Sequence, residues 1–427
     1  AGEDGGLAGL CLQAQVDEAE GEGQEVVGAQ DGQDQGRQHQ RGSGSGRGGG
    51  HPSGGGRRLG LGGDRGAAGR GLGRGHGGPG PGGEESDPGP LFSRAGFTGS
   101  QVAPAHWAGD QPSTWEAFRS VIVAGLSAGM CGILFWGADI GGFSGEIPGA
   151  ELYLRSTAMA TFCPILQYHA LVAGTLLDVP WRPEDGRLVP IFRRFINVRH
   201  NLMPYIWQEA QHAVQSGQPL MRALALTDPA AGPHQYLFGR DLLVAPVTEP
   251  GAETWPVYLP AGMWHDLWTG RRVSGGQTLT VPVDRGMIPV YVRAGGIVPL
   301  NLGDDLALCA PSSGSPEAVK NLAALIFPGE TSSAELFQGK GRAYGSISTY
   351  RNNKDGSVQI NLERVELPVE LLVLDEKPGQ VCFNGSQLPD RRDEARNGSA
   401  FWEWLPEWHA AHIHLPARKG PLTVILR

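Results

Sequence analysis

No Phe, Tyr or Trp occurs in residues 1–91, although the 427-residue chain holds 13, 8 and 11 of them elsewhere. The same stretch carries nearly half of the 67 glycines. A segment without large apolar side chains buries too little surface to offset its ordering entropy, so residues 1–91 are expected to be disordered. An Arg/Gly run from Arg37 to Arg74 suggests RNA, but the interleaved aromatics that would stack on bases are missing. Gly-Leu-Gly-Arg-Gly at 71–75 has no strand before it and no helix after it, which excludes a nucleotide loop. Dominance of Gly, Ala, Arg and Pro is also what GC-rich DNA gives in a wrong reading frame. The abrupt end of this texture at Leu91 fits that second expectation.

Other absences narrow the class. The five cysteines (Cys11, Cys131, Cys163, Cys309, Cys382) are odd in number and never spaced Cys-x-x-Cys. That pattern reads as small buried hydrophobes in a reducing compartment and argues against a structural zinc site. No apolar run approaches the ~20 residues that span a bilayer, and no basic start leads into an apolar segment. A cytoplasmic location is the expectation. The net charge of −9 gives no general attraction to nucleic acid or anionic membrane.

From Phe92 onward the texture is that of a globular enzyme. Val102–Trp107 is a short buried-strand candidate running into Gly109-Asp110. Ser113-Thr-Trp-Glu116 reads as a capping box, and the helix it opens spaces Phe118, Val121, Ile122 and Leu126 on one face before stopping near Gly129. Gly132–Trp136 is a second short strand, which delivers Asp139. A helix over 151–161 and a strand over 164–169 follow. Strand, helix, strand, helix, strand is the parallel pattern of an α/β barrel or doubly wound sheet. In a barrel, carboxylates that follow strands stand at the mouth where the chemistry sits, so Asp110 and Asp139 are expected to face one pocket.

A long helix over 189–216 carries a kink at Pro204 and a stop at Gly217. Beyond Leu220 the helical period disappears. Short strands at 242–245, 254–259, 278–283 and 288–292 are separated by Pro/Gly turns, the pattern of a β-sandwich. Strands at 358–362, 369–374, 380–383 and 422–426 predict a second, smaller sandwich. Asn384-Gly-Ser and Asn397-Gly-Ser match a glycosylation sequon, yet Asn-Gly reads first as a tight turn.

Ser93-Arg-Ala-Gly-Phe97 and His106-Trp-Ala-Gly-Asp110 resemble glycoside hydrolase family 31, the α-glucosidase and α-xylosidase family. Further motifs follow in family order: Trp136-Gly-Ala-Asp-Ile-Gly-Gly-Phe143, Asn201-Leu-Met-Pro-Tyr205, Pro219-Leu-Met-Arg222, Gln235-Tyr-Leu-Phe-Gly239, Leu243-Val-Ala-Pro-Val247, Tyr258–Trp264 and Ile288–Gly295. The resemblance covers residues 92–305 strongly and the remainder loosely. It implies the C-terminal part of a (β/α)8 TIM barrel (92–220), a proximal β-sandwich (221–305) and a distal β-sandwich (306–427). Residue by residue, it implies that Asp110 is the general acid/base and Arg94, sixteen positions earlier, a sugar-contacting arginine. Trp107 then matches a pocket wall, and Asp139 and His169 match ligands of the sugar hydroxyls in the −1 subsite. No cofactor and no metal are implied. The expected partner is a small-molecule or oligosaccharide substrate, with homo-oligomers left open for the full-length family.

These residue types suit the chemistry. A retaining glycosidase uses two carboxyl groups about 5–5.5 Å apart, one attacking the anomeric carbon and one protonating the leaving oxygen. An enclosing wall such as Trp107 would help keep the acid protonated. Vicinal sugar hydroxyls suit bidentate contacts from Asp and Arg. His106 carries no separate signal and reads as packing or as support behind the site residues, Trp136 as barrel filling with some exposure toward the pocket, and Glu146 and Glu151 as caps of the next helix.

The chain also departs from the family. The nucleophile stands in a Trp-x-Asp-Met-Asn-Glu-like stretch on the fourth strand, and nothing before Arg94 matches it. The loop Ala170–Trp181 is apolar where the family has a polar one, and Val102 sits where a basic residue is common. The leading expectation is a retaining α-glycosidase acting on terminal α-linked glucosyl or xylosyl residues, incomplete and of little activity as it stands. The alternatives are a non-catalytic carbohydrate-binding fragment and an α-transglycosylase or lyase.

Overall fold

A computed structural model describes residues 91–94, 96–169, 188–312, 319–339, 342, 344–390 and 399–427, which lie in one compact unit. The expectations for residues 1–90, for the loop 170–181 and for Asn397 lie outside the described residues.

Three very short strands open the described chain: β1 (Phe92–Ser93), β2 (Ala105–Trp107) and β3 (Trp136–Gly137). They pair in parallel, with Ser93 opposite His106 and His106 opposite Trp136. The expected strand over 164–169 is reduced to a single parallel bridge between Asp139 and Gln167. Pro164 offers no N–H to a ladder, which fits a segment that pairs at one point only. Residues 100–102 form a 3₁₀ turn with Val102 exposed, so β2 starts later than the apolar pattern predicts.

Helix α1 (Trp115–Met130) joins β2 to β3. Its N-cap is Thr114, whose Oγ1 accepts from Ala117 N–H at 3.1 Å, so the cap falls one residue after the expected Ser113. The apolar face packs over the sheet, and Gly125 is required there: a Cβ would stand 2.5 Å from the buried Trp136 ring. Helix α2 (Ala150–Thr161) follows, buried along almost its whole length. The long helix predicted over 189–216 is two helices, α3 (Leu188–Asn201) and α4 (Met203–Ser216). Pro204 lies in the first turn of α4, where its missing N–H costs nothing. The predicted kink is therefore a break at Leu202. Gly217 ends α4 in the left-handed conformation, φ 74°.

The rest is β-structure. A six-stranded antiparallel sheet runs in the order β4 (Met221–Ala223), β5 (Tyr236–Phe238), β6 (Leu242–Val244), β11 (Val290–Arg293), β8 (Met263–Asp266), β9 (Arg272–Ser274). A ribbon of β7 (Thr254–Leu259) and β10 (Gln277–Pro282) covers its outer face, and Leu243, Tyr291, Val257 and Leu259 form the core between them. Two further sheets make the distal sandwich. One holds β12 (Ile297–Leu300), β13 (Leu322–Ile326), β17 (Val369–Leu374), β21 (Ala410–Leu415) and β20 (Phe401–Leu405). The other holds β14 (Thr331–Leu336), β15 (Gly345–Arg351), β16 (Val358–Glu363), β22 (Leu422–Leu426), β18 (Val381–Phe383) and β19 (Ser386–Gln387). Asn384 and Gly385, both at positive φ, make the tight turn between β18 and β19 that Asn-Gly predicts.

One buried cluster reaches from the barrel part into the distal sandwich. Phe118, Ile122 and Trp136 of the barrel part, Phe195 and Tyr205 of the helices, Phe238 and Val292 of the proximal sheet, and Leu325 and Leu372 of the distal sheet belong to the same buried cluster. Continuous apolar contact of this kind fixes the barrel strands against the sandwiches, because separating them would expose that surface to water.

Candidate active site

Four of the candidate residues follow strand segments, and Trp107 is the last residue of β2. Arg94 follows β1, Asp110 comes three residues after β2, Asp139 two after β3, and His169 two after the bridged Gln167. The loops after β2 and β3 are clipped together. Phe143 N–H donates to Gln111 O at 2.8 Å, and Gln111 Nε2 donates to Asp139 O at 3.1 Å. Gly142 permits this approach: its φ is 99°, and a Cβ there would stand 2.6 Å from Ser113 Cα.

Arg94 and Asp110 are brought together directly, Arg94 Nη1 donating to Asp110 Oδ2 at 2.7 Å. Both are partly exposed, with side chains 55% and 43% accessible. The expected enclosing wall does not cover Asp110. Trp107 turns instead toward Phe92, at 6.2 Å between ring centroids, and toward His169, at 5.5 Å.

Asp139 is placed differently from Asp110. Its side chain has no exposed surface, its Oδ1 accepts from Gln167 Nε2, and His169 Nδ1 lies 3.9 Å from that oxygen. Burial pushes its carboxyl up to about 6; the Gln167 hydrogen bond and the His169 charge offset part of this, and the Asp110 charge adds to it. The Asp110 contribution means that the two carboxylates share an electrostatic environment. His169 is half exposed, and its ring is flanked by Phe143 at 4.8 Å as well as by Trp107.

Other expectations sort as follows. His106 is buried with its pKa lowered by burial, and neither ring nitrogen has a partner, so it belongs to the packing beneath the sheet. Trp136 is buried against α1, without the expected exposure. Glu146 is exposed and the N-cap of α2 is Gly149, so Glu146 caps nothing there. Glu151 does stand in the first turn of α2, but its carboxylate accepts from Gly251 N–H and pairs with Arg155. Cys131, Cys163 and Cys382 are free; Cys163 is buried but Cys131 is exposed, so the reading of the cysteines as small buried hydrophobes fails at Cys131.

Sequence reasoning passed over Gln167, Phe143 and Gln111. The usable signal for Gln167 was its position two residues before His169, since alternate residues of an extended chain share a face. Phe143 closes a recognised motif without having been given a role. Among the described residues no group of three or more His, Cys, Asp or Glu is arranged to hold a metal ion, and no helix is long and apolar enough to cross a membrane.

Residues 82–209 match the glycosyl hydrolases family 31 TIM-barrel domain, and residues 217–298 match the glycosyl hydrolase family 31 C-terminal domain. The chain belongs to glycoside hydrolase family 31. Among family 31 relatives, 1,3-alpha-isomaltosidase of Kribbella flavida is 50% identical over 48% of this chain and 30% of its own length. Isomaltosyltransferase of Sporosarcina globispora is 36% identical over 70% of this chain and 28% of its own. The cycloalternan-forming enzyme of Listeria monocytogenes, solved in complex with a pentasaccharide substrate, superposes with TM-score 0.74 at 30% identity, covering 79% of this chain and 33% of that one. The chain thus spans about a third of the length of these family 31 proteins. The fold is the family's TIM-barrel part followed by mostly-β domains.

Proposed function

We propose that this chain carries the acid/base side of a retaining α-glycosidase site acting on terminal α-linked glucosyl units of oligosaccharides, with xylosyl units as the nearest alternative. The observation that carries the reading is the grouping, at one end of four neighbouring parallel strand segments, of the Arg94–Asp110 pair, the His169 ring and the aromatic side chains of Trp107 and Phe143. In this reading Asp110 protonates the glycosidic oxygen as it leaves and later deprotonates the incoming water. Arg94 and His169 hold sugar hydroxyls, and Trp107 and Phe143 supply apolar surface for the sugar's C–H faces. Asp139 contributes to the hydroxyl subsite. The attacking carboxylate is not among the residues assigned here, so the described site binds sugar more readily than it cleaves it.

Assays with aryl α-glucoside and α-xyloside, together with isomaltose binding, test this. The expected result is isomaltose binding that falls at least tenfold in His169→Ala, with little turnover. Turnover abolished by Asp110→Ala would instead establish a complete hydrolase. Absence of both binding and turnover would sink the reading.

A second reading is transfer of the glycosyl unit to another sugar rather than to water. It is supported by the relative named isomaltosyltransferase, aligned over 70% of this chain, and by the likeness to a cycloalternan-forming enzyme. Product analysis with isomaltose as both donor and acceptor separates the two: longer saccharides, formed with one glucose released per transfer, favour transfer, and glucose as the sole product favours hydrolysis.

A further inference from the structure

A carboxylate with no access to solvent accepts from Gln167 on one oxygen, and an imidazole stands 3.9 Å from the same atom. The parallel bridge sets Asp139 beside Gln167, and Ile140 N–H donates to Gln167 O at 3.2 Å. Residues two apart along an extended segment share a face. His169 is thereby turned to the same side as Gln167, while Tyr168 faces the other way onto Tyr153, with rings 6.1 Å apart. Gln167 Nε2 donates to Asp139 Oδ1, and His169 Nδ1 stands 3.9 Å from that oxygen. The Asp139 side chain is 0% exposed and that of His169 is 54% exposed. A sugar hydroxyl reaching this corner meets the imidazole and not the carboxylate.

We infer that Asp139 is a positioning residue: it acts on a bound sugar through His169, whose ring it orients, and Gln167 holds the carboxylate in the attitude that does so. A shift of about 1 Å brings Nδ1–H within hydrogen-bond distance of Oδ1. An imidazole that donates from Nδ1 keeps Nε2 free of a proton, and Nε2 is then an acceptor for a sugar O–H. Phe143 and Trp107 limit the sideways swing of the ring, at 4.8 and 5.5 Å. The raised pKa of Asp139, about 6, agrees with a carboxylate that is charged at pH 7.5 and short of hydrogen bonds, its Oδ2 having no partner. Such a group gains from a second donor on either oxygen. The role in sugar binding rests on the function proposed above, whereas the orientation of His169 does not.

The test uses the full chain at pH 7.5 and has two arms. Nitrogen NMR of the His169 ring, without ligand, reports the tautomer. The expected result is the Nδ1–H form in the parent chain and its fall to the minor form in Asp139→Asn. In Gln167→Leu, which removes the donor that holds the carboxylate, the Nδ1–H form is expected to fall as well, by less than in Asp139→Asn. This variant keeps the carboxylate and covers the case in which Asp139→Asn does not fold. A tautomer indifferent to both substitutions would overturn the inference. The second arm is a double-mutant cycle on isomaltose affinity. Asp139→Asn and His169→Ala are each expected to weaken binding about tenfold, and the double variant no further than His169→Ala alone. Multiplicative losses, about a hundredfold together, would mean that Asp139 meets the sugar independently and would defeat the inference. A parent chain that binds no isomaltose removes the proposed function, and the tautomer arm still decides the orientation of His169.

Discussion

Two histidine–carboxylate groupings in this molecule are built from the same kinds of chemical group and come out opposite. At the barrel mouth, Asp139 faces one half-exposed His169 at 3.9 Å, and its carboxyl is raised to about 6. In the distal sandwich, Glu370 on β17 meets two histidines of β21 at 2.7 Å, His412 through one oxygen and His414 through the other. His412 also contacts Glu403 at 3.0 Å, and Phe401 stacks on His414. Burial by itself would raise Glu370; the hydrogen bonds and charges of His412 and His414 overcome it and hold the carboxyl at about 2. The difference lies in the count of donors per oxygen and in the strands beneath. Paired strands of five and six residues lock Glu370, His412 and Glu403 in register, whereas His169 leaves a segment bridged at one point. A closed constellation serves the fold, and an open one with an unpartnered oxygen is available for a ligand.

The sharpest way to break this comparison is to remove the distal carboxylate. Glu370→Ala takes one of the two carboxylates from the buried His412 and the carboxylate partner from His414, and a loss of about 3 kcal/mol in urea unfolding at pH 7 is expected. A loss below about 1 kcal/mol would show the distal cluster to be as loose as the barrel mouth.

The pH dependence should then separate the two sites by sign. Glu370 has a depressed folded pKa, so its contribution is present above the ordinary glutamate range and is lost as pH falls from about 4.5 through about 2. Asp139 has a raised one, so its contribution is full below about 4 and is lost as pH rises through about 6. The expected size is on the order of 2–3 kcal/mol for each. Between pH 4 and 6 the stability of Asp139→Asn should decline less than that of the parent chain, since burial raises Asp241 and Asp266 as well, and Glu370→Gln should lose the acid limb only. Exchanged windows would contradict the assignment.

Gly125→Ala sharpens it further by loosening one region alone. The new methyl group meets Trp136 at 2.5 Å, an overpacking cost of about 1–3 kcal/mol, less the ~1 kcal/mol that alanine returns to a helix. Tryptophan fluorescence and the His169 signals should change while those of His412 and His414 do not. The smallest expected effect is that of Thr114→Ala, about 1 kcal/mol from the lost α1 cap. Ser113→Ala should be nearly silent, which tests the one-residue placement of that cap.

Much of this architecture was legible in the chain. Thr254–Leu259, Val369–Leu374 and Leu422–Leu426 occupy the predicted spans, because buried strands announce themselves by β-branched and apolar runs between turns. The stop at Gly217 and the turn at Asn384-Gly385 were readable because few residues tolerate positive φ. Strands such as β14, with Thr331, Ser332, Ser333 and Glu335, were not, since their polar face hides the alternation. Gln167 escaped for another reason: a neutral amide in an apolar segment carries no chemical signature until a carboxylate is beside it.

Sequence alone determined the family, the order of barrel part and sandwiches, and the identities of Arg94, Asp110, Trp107, Asp139 and His169 as candidates, because motifs and hydrophobic period are local properties. Tertiary structure alone decided that Arg94 pairs with Asp110, that Asp139 is closed to solvent while His169 is open, and that Gln167 donates to the Asp139 oxygen that His169 approaches. Burial and donor count depend on which distant segments meet, and burial sets the charge a carboxylate carries. Two residues of one type can therefore read alike in the chain and behave oppositely in the fold.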